Sequence, residues 1–197
     1  MGVQVSKTKS QGSKAGSTKS TKSSRASDMP SQRELFVAVA RGQIGYVEGP
    51  AENQTKYGSF TGYNFQPWCG SFVMWVADKV KLRIPSVVYT QGGANAFMKS
   101  GRWEDAEKAT PEVGDLAFFD FPGDNVNRIS HIGIVTRVFK DGRVETVEGN
   151  TSPTAQGDQR NGGQVCLKIR AYKKKNGKIR RLPVYVVGFG KPRFKGE

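Results

Sequence analysis

The hydrophobic and polar positions of this chain fall into two regimes. Up to about residue 101 apolar side chains recur at three- and four-residue steps, and from about residue 111 they alternate. Ser31-Gln32-Arg33-Glu34 has the capping-box pattern that starts a helix, with Leu35, Phe36 and Val39 as its apolar face and Gly42 to Gly49 ending it. Residues 53–65, rich in Gly, Asn, Thr and Tyr, read as a loop leading to Pro67. A second helix is predicted to open at Cys69 and stop before Pro85. Phe72, Val73, Val76 and Val80 make its buried face, and Trp75 belongs to the core. Thr90 is placed to cap a third helix through Ala94, Phe97 and Met98, closed by Gly101. Strands follow at 116–121, 129–135, 143–148, 164–169 and 184–188, with a hairpin turn at Asp141-Gly142. Helices first and an antiparallel sheet afterwards make an α+β domain.

Composition divides the chain further. Its 197 residues suit one domain with a tail, and the formal net charge is +14. Residues 1–30 and 168–181 hold most of that charge, which leaves the remainder close to neutral. Residues 1–30 are Ser, Lys, Thr and Gly with almost nothing to bury, so a disordered basic tail is expected there and a folded domain over 31–197. Such basic segments attract polyanions in general. The Lys173-Lys174-Lys175 run reads most simply as a solvated hairpin tip. No apolar run is long enough for a signal-peptide core or a membrane span, so synthesis in a cytoplasm with separate release is expected. Two cysteines are too few for a disulfide framework, and no cluster suggests zinc.

Candidate chemistry centres on Cys69. At the first turn of a helix, unpaired backbone N–H groups and the positive end of the macrodipole favour a thiolate over a thiol. The competing reading is a small buried hydrophobe. His131 is the single histidine, mid-strand, sharing a face with Gly133 and Val135 while Ile132 and Ile134 point the other way. A lone strand histidine also has a purely structural reading. The next strand ends Glu148-Gly149-Asn150, and the hairpin can bring both polar residues beside His131. The intervening glycine allows close approach of a backbone or ligand. A nucleophile at a helix start, a base on a strand and a polar residue to orient it are the parts of a thiol hydrolase. Cys166 lies in an alternating stretch and reads as a structural thiol; a disulfide with Cys69 would silence the nucleophile.

Pro67-Trp68-Cys69-Gly70-Ser71-Phe72-Val73, Gly114-Asp115-Leu116-Ala117-Phe118-Phe119, Ser130-His131-Ile132-Gly133-Ile134-Val135 and Val147-Glu148-Gly149-Asn150 together resemble the CHAP domains. These are cysteine, histidine-dependent amidohydrolase/peptidases of the papain-like NlpC/P60 superfamily, found in bacteriophage lysins and bacterial autolysins. The likeness covers about residues 31–194. The stretches 122–129 and 150–163 are similar to segments of the phage-type variants. The resemblance implies a papain-like α+β fold and cleavage of peptidoglycan at an amide or peptide bond, as by a phage endolysin. It implies Cys69 as nucleophile, His131 as base and then acid, Glu148 as the orienting third member and Asn150 as a further polar group near the imidazole. Gln66 is the nearest side chain for the oxyanion, and Trp68 and Trp103 border loops where they could line a substrate groove or simply pack. Some relatives bind calcium through acidic residues ahead of the cysteine. Residues 53–68 contain no Asp or Glu, so neither metal nor other cofactor is expected. Peptidoglycan is the implied partner of a monomer, with anionic wall polymer retained on the tail and on residues 168–181. The alternatives are a catalytically silent binding or virion-associated protein that holds nucleic acid or wall polymer through its basic segments, and a related thiol enzyme acting on another amide.

Overall fold

A computed structural model describes residues 1–4, 29–121, 128–173 and 185–197. Most of the expected basic tail, the turn at 122–125, the insert before His131, and the basic run beyond Lys173 lie outside the described residues. Ser31 caps helix α1 (Gln32–Arg41) as its sequence predicts. Its side chain accepts from the Glu34 N–H, and Glu34 reaches back to the Ser31 N–H at 2.7 Å. Phe36 and Ala40 form the buried face of α1, whereas Leu35 is exposed.

The segment read as a loop contains a short helix, α2 (Lys56–Thr61), capped by Thr55, which accepts from the Gly58 N–H at 2.8 Å. Its six residues include Gly and Ser and carry weak helix propensity, so packing rather than local preference holds it. Tyr57 on α2 is fully buried against Trp68, Phe72 and Trp75. Helix α3 (Cys69–Lys79) opens at the expected residue and buries Phe72, Val73 and Val76, while Trp75 is only half-buried at the rim of the core. Helix α4 (Thr90–Lys99) follows. Tyr89, not Thr90, is its N-cap residue, and the Thr90 hydroxyl donates instead to the Ile129 carbonyl at 2.8 Å.

Six strands complete the fold: β1 (Trp103–Asp105), β2 (Leu116–Phe119), β3 (His131–Phe139), β4 (Arg143–Thr151), β5 (Gln164–Ala171) and β6 (Val186–Gly190). They form one antiparallel sheet in the order β1-β6-β2-β3-β4-β5. Strand β1 has three residues and escapes a periodicity reading; its pairing partner is far away in sequence. Alternation splits the sheet into two apolar faces. Leu116, Phe118, Ile132, Ile134 and Val147 pack under the helices, and Ala117, Phe119, Val135, Val144 and Phe189 form a second core on the opposite side. The fold is thus the α+β arrangement expected, with the helices packed on one face of an antiparallel sheet.

Gly149 sets how closely α3 sits on β4. A Cβ there would lie 2.6 Å from the Phe72 Cβ and 2.9 Å from the Trp68 ring. Gly149→Ala should therefore force helix and strand apart and destabilise the protein by about 1–3 kcal/mol, read from urea denaturation.

Candidate active site

Cys69 opens α3 and His131 opens β3, which places both at one end of the helix–sheet sandwich. Both are almost completely buried, Cys69 at 3% exposure and His131 at 0%. The imidazole meets the Glu148 carboxylate through Nε2, 3.0 Å from Oε2. Nδ1 has no partner within hydrogen-bond geometry among the described residues. With Nε2 occupied, Nδ1 is the nitrogen left for the Cys69 sulfur, which acts on the ring by charge and polar contact. Burial of the ring works against its charged form. Cys69 and Glu148 outweigh that cost and push its pKa up to about 9.

Glu148 reaches the imidazole because its neighbour on β3 has no side chain. A Cβ at Gly133 would lie 2.6 Å from the Glu148 Cγ. The carboxylate is fully buried, and both oxygens are engaged. Arg170 Nε donates to Oε1 at 2.8 Å and Nη2 to Oε2 at 2.5 Å, while the Thr146 hydroxyl donates to Oε1 at 2.5 Å. Burial favours the neutral acid, but Arg170 and then His131 prevail and hold the carboxyl well below the usual carboxylate range. The Arg170 guanidinium lies over Phe119 and Phe121, 5.5 and 5.4 Å from their centroids, and Nη1 donates to Gln159 Oε1 at 3.2 Å.

Arg170 was not singled out by sequence reading, which counted it within a basic surface run. The usable signal is its place on alternating β5: opposite Val144, it shares the face of Thr146 and Glu148. Its side chain is 11% exposed, so Arg170 does not belong to a solvated surface. Lys168 and Lys173 likewise donate to backbone carbonyls, those of Ser152 and Ala109.

Other expected residues fall elsewhere. A bulge lies between Glu148 and Thr151, and Asn150 within it has φ 57°. Its amide donates to Asn53 and Asn161 and its carbonyl oxygen accepts from the Gly163 N–H, so it organises the loops around the site. Trp68 is fully buried, stacked on Tyr57 with Nε1 donating to Glu48, and cannot line a groove. Trp103 packs on Phe118 and over Gly188 in β6, and it does not line the cleft at Cys69. Gln66 does line that cleft, a cavity of about 380 Å³ whose walls include Tyr63, Tyr89, Ser130, Arg128 and Arg160 around the sulfur. Cys69 and Cys166 are separate free thiols, and the latter points at the Thr151 carbonyl. Among the described residues no group of three or more His, Cys, Asp or Glu is arranged to hold a metal ion.

Removing one partner of a buried ion pair strands the other charge. Arg170→Met should cost about 3–5 kcal/mol in urea denaturation, and adding Glu148→Gln should recover much of it by removing the stranded carboxylate.

The family model described as CHAP domain matches residues 58–150. Comparison with curated proteins returned no match. Among solved structures, the chain is similar to the crystal structure of Ly7917 at 14% identity and a TM-score of 0.45, over 81% of this chain and 62% of that one. It is also similar to a crystal structure described as similar to lipoprotein, NLP/P60 family, from Staphylococcus aureus subsp. aureus Mu50. There the identity is 15% and the TM-score 0.36, over 73% of this chain and 42% of that one. The chain spans less than two thirds of the length of either structure. The family match is thus to a CHAP domain at residues 58–150, a span that holds Cys69, His131 and Glu148 and ends before Arg170.

Proposed function

We propose that this chain is a peptidoglycan hydrolase of the phage-lysin type that cleaves an amide or peptide bond through Cys69, His131 and Glu148. The observation that carries this reading is the buried Glu148–His131 contact on Nε2, which leaves Nδ1 for the Cys69 sulfur at the floor of a cleft. The CHAP match supports the cysteine amidohydrolase/peptidase class.

In this mechanism the Cys69 sulfur, charge-paired with the His131 imidazolium, attacks the carbonyl carbon of the bound amide. The oxyanion forms beside the Cys69 N–H, one of the backbone donors that the start of α3 leaves without an intrahelical acceptor, with Gln66 as the side-chain donor. Nδ1 of His131 passes its proton to the departing amine. In the second half-reaction it takes one from the water that releases the acyl group. Glu148 accepts from Nε2–H throughout, fixing ring and tautomer, and Arg170 keeps the carboxylate ionised and still. The chain acts on wall outside the compartment that makes it, after release or as part of a particle.

Cys69→Ala should lower release of soluble fragments from purified peptidoglycan by on the order of 10⁴-fold or more while far-UV circular dichroism stays unchanged. Full activity in that variant would overturn the mechanism. Mass spectrometry of the fragments assigns the bond, since an amidase frees the stem peptide from the sugar and an endopeptidase does not.

The pH dependence has a definite sign. The working form carries a protonated His131, whose pKa is raised, so kcat/KM should hold below that value and fall as pH rises through about 9. Glu148→Gln removes a charge that supports the imidazolium, so the descending limb should move to lower pH.

A further inference from the structure

Each nitrogen of the Arg170 guanidinium has a partner of its own. Nε and Nη2 take the two oxygens of Glu148, and Nη1 donates to Gln159 Oε1 at 3.2 Å. The group also lies over the rings of Phe119 and Phe121. Aromatic faces limit its tilt, and the carboxylate fork fixes two of its edges. Gln159 holds the remaining one.

Gln159 can do this because the rest of its amide is committed. Its NH2 group donates to the Thr154 and Gly157 carbonyls, both at 2.8 Å, which leaves the amide oxygen to face the guanidinium. A flipped amide would set its oxygen against two carbonyls and its hydrogens against a cation. Both carbonyls belong to the loop between β4 and β5, which is closed on itself. The Ser152 N–H donates to the Asp158 carbonyl at 2.9 Å, and Asp158 Oδ1 accepts from the Arg160 and Asn161 N–H groups at 2.7 and 2.9 Å. Asn161 ties the far end of the loop to Glu52 and Asn150. Arg160, next after Gln159, lines the cleft at Cys69, and Gln159 does not. A loop that walls the cleft thus reaches the buried carboxylate through one amide.

We infer that Gln159 is a positioning residue for the Glu148–His131 pair: by holding Nη1 it keeps the Arg170 fork on the carboxylate, and so sets how much of the Glu148 charge is left to the imidazole. Without that oxygen, Nη1 would lack an acceptor in a side chain only 11% exposed, and the guanidinium would turn toward water and loosen its hold on Glu148. The groups acting on the pair are Cys69 from α3 and Arg170 from β5, with Lys168 and Cys166 on the same strand acting on Glu148, while Tyr185 ahead of β6 acts on Arg170. Of these, Gln159 bonds Arg170. Arg170 is a positive charge that shares the carboxylate with the imidazolium, so loosening it favours the protonated ring. The inference rests on the reading that Cys69, His131 and Glu148 carry out the chemistry, and its first test needs no turnover.

His131 is the single histidine, so its imidazole signals are assigned at once in an NMR titration of the full chain. The wild-type midpoint is expected at about 9. Gln159→Met keeps the length of the side chain and removes the amide. It should raise the midpoint by on the order of half a pH unit, and Arg170→Met should raise it further. Adding Gln159→Met to Arg170→Met should move it no more, because the amide then has no guanidinium to hold. A midpoint that stays or falls in Gln159→Met overturns the inference, and so does a second step of equal size in the Arg170→Met background. Where Arg170→Met does not fold, the Gln159→Met titration alone decides. With purified peptidoglycan, Gln159→Met should lower kcat by on the order of fivefold with KM nearly unchanged, and the descending limb of the pH profile should rise with the imidazole midpoint. A loss confined to KM with the midpoint unmoved would mean that Gln159 only shapes the loop, and overturns the inference. A raised midpoint with no cleavage by either protein supports the positioning role and removes the hydrolase reading instead.

Discussion

The buried chain Arg170–Glu148–His131 is the constraint on which the site depends. Glu148 and His131 are fully buried, and charge is tolerated in such a place only when it is paired and hydrogen-bonded. Here the pairing is complete on the carboxylate, with Arg170 on both oxygens, Thr146 on one and the imidazole on the other. The members come from β3, β4 and β5, so the chain of contacts exists only in one sheet register. A slip of one residue would turn Glu148 to the helix side, and Gly133 would no longer open the space its side chain crosses.

The helices supply what the sheet lacks. Helix α3 delivers the sulfur with its backbone donors, and its placement relies on the two contacts where a side chain would not fit. Gly149 lies under Phe72, and Gly70 lies against the Val87 carbonyl, 2.0 Å from where a Cβ would be. Buried Tyr57, Trp68 and Phe72, with half-buried Tyr46 packed against Tyr57 and Trp68, keep the residues before Cys69 in place. Trp68 thus acts from behind the nucleophile rather than beside a substrate. The exposed aromatic rings at the cleft are Tyr63 and Tyr89. The complete buried pairing of Glu148 also bears on the alternative of a silent binding domain, because surface charge alone would give no reason for an arginine and a carboxylate beneath the one histidine.

Local signals in the sequence determined a good deal. The Ser31 capping box, the i, i+3/i+4 apolar face after Cys69, the alternation around His131 and the Asp141-Gly142 turn each depend on neighbours within a few residues, and each element forms as read. The same local chemistry singled out Cys69, His131 and Glu148, and the fold brings these three together. Helix α2 and strand β1 escaped because they are too short for a period to register and are held by residues distant in the chain. The partners of Asn150 lie on loops distant in the chain, at a bulge that a period of two cannot anticipate.

Only the tertiary structure decided where Arg170, Trp68, Trp103, Arg128 and Arg160 sit. Each belongs to a residue type that sequence reads by its average habit, basic side chains outward and loop-border tryptophans toward ligand or core alike. Whether a given one is buried beneath a histidine, stacked behind a helix or set on a cleft wall depends on register and on contacts between elements far apart in the chain. Periodicity tells which face of an element is covered, and it says nothing of what covers it.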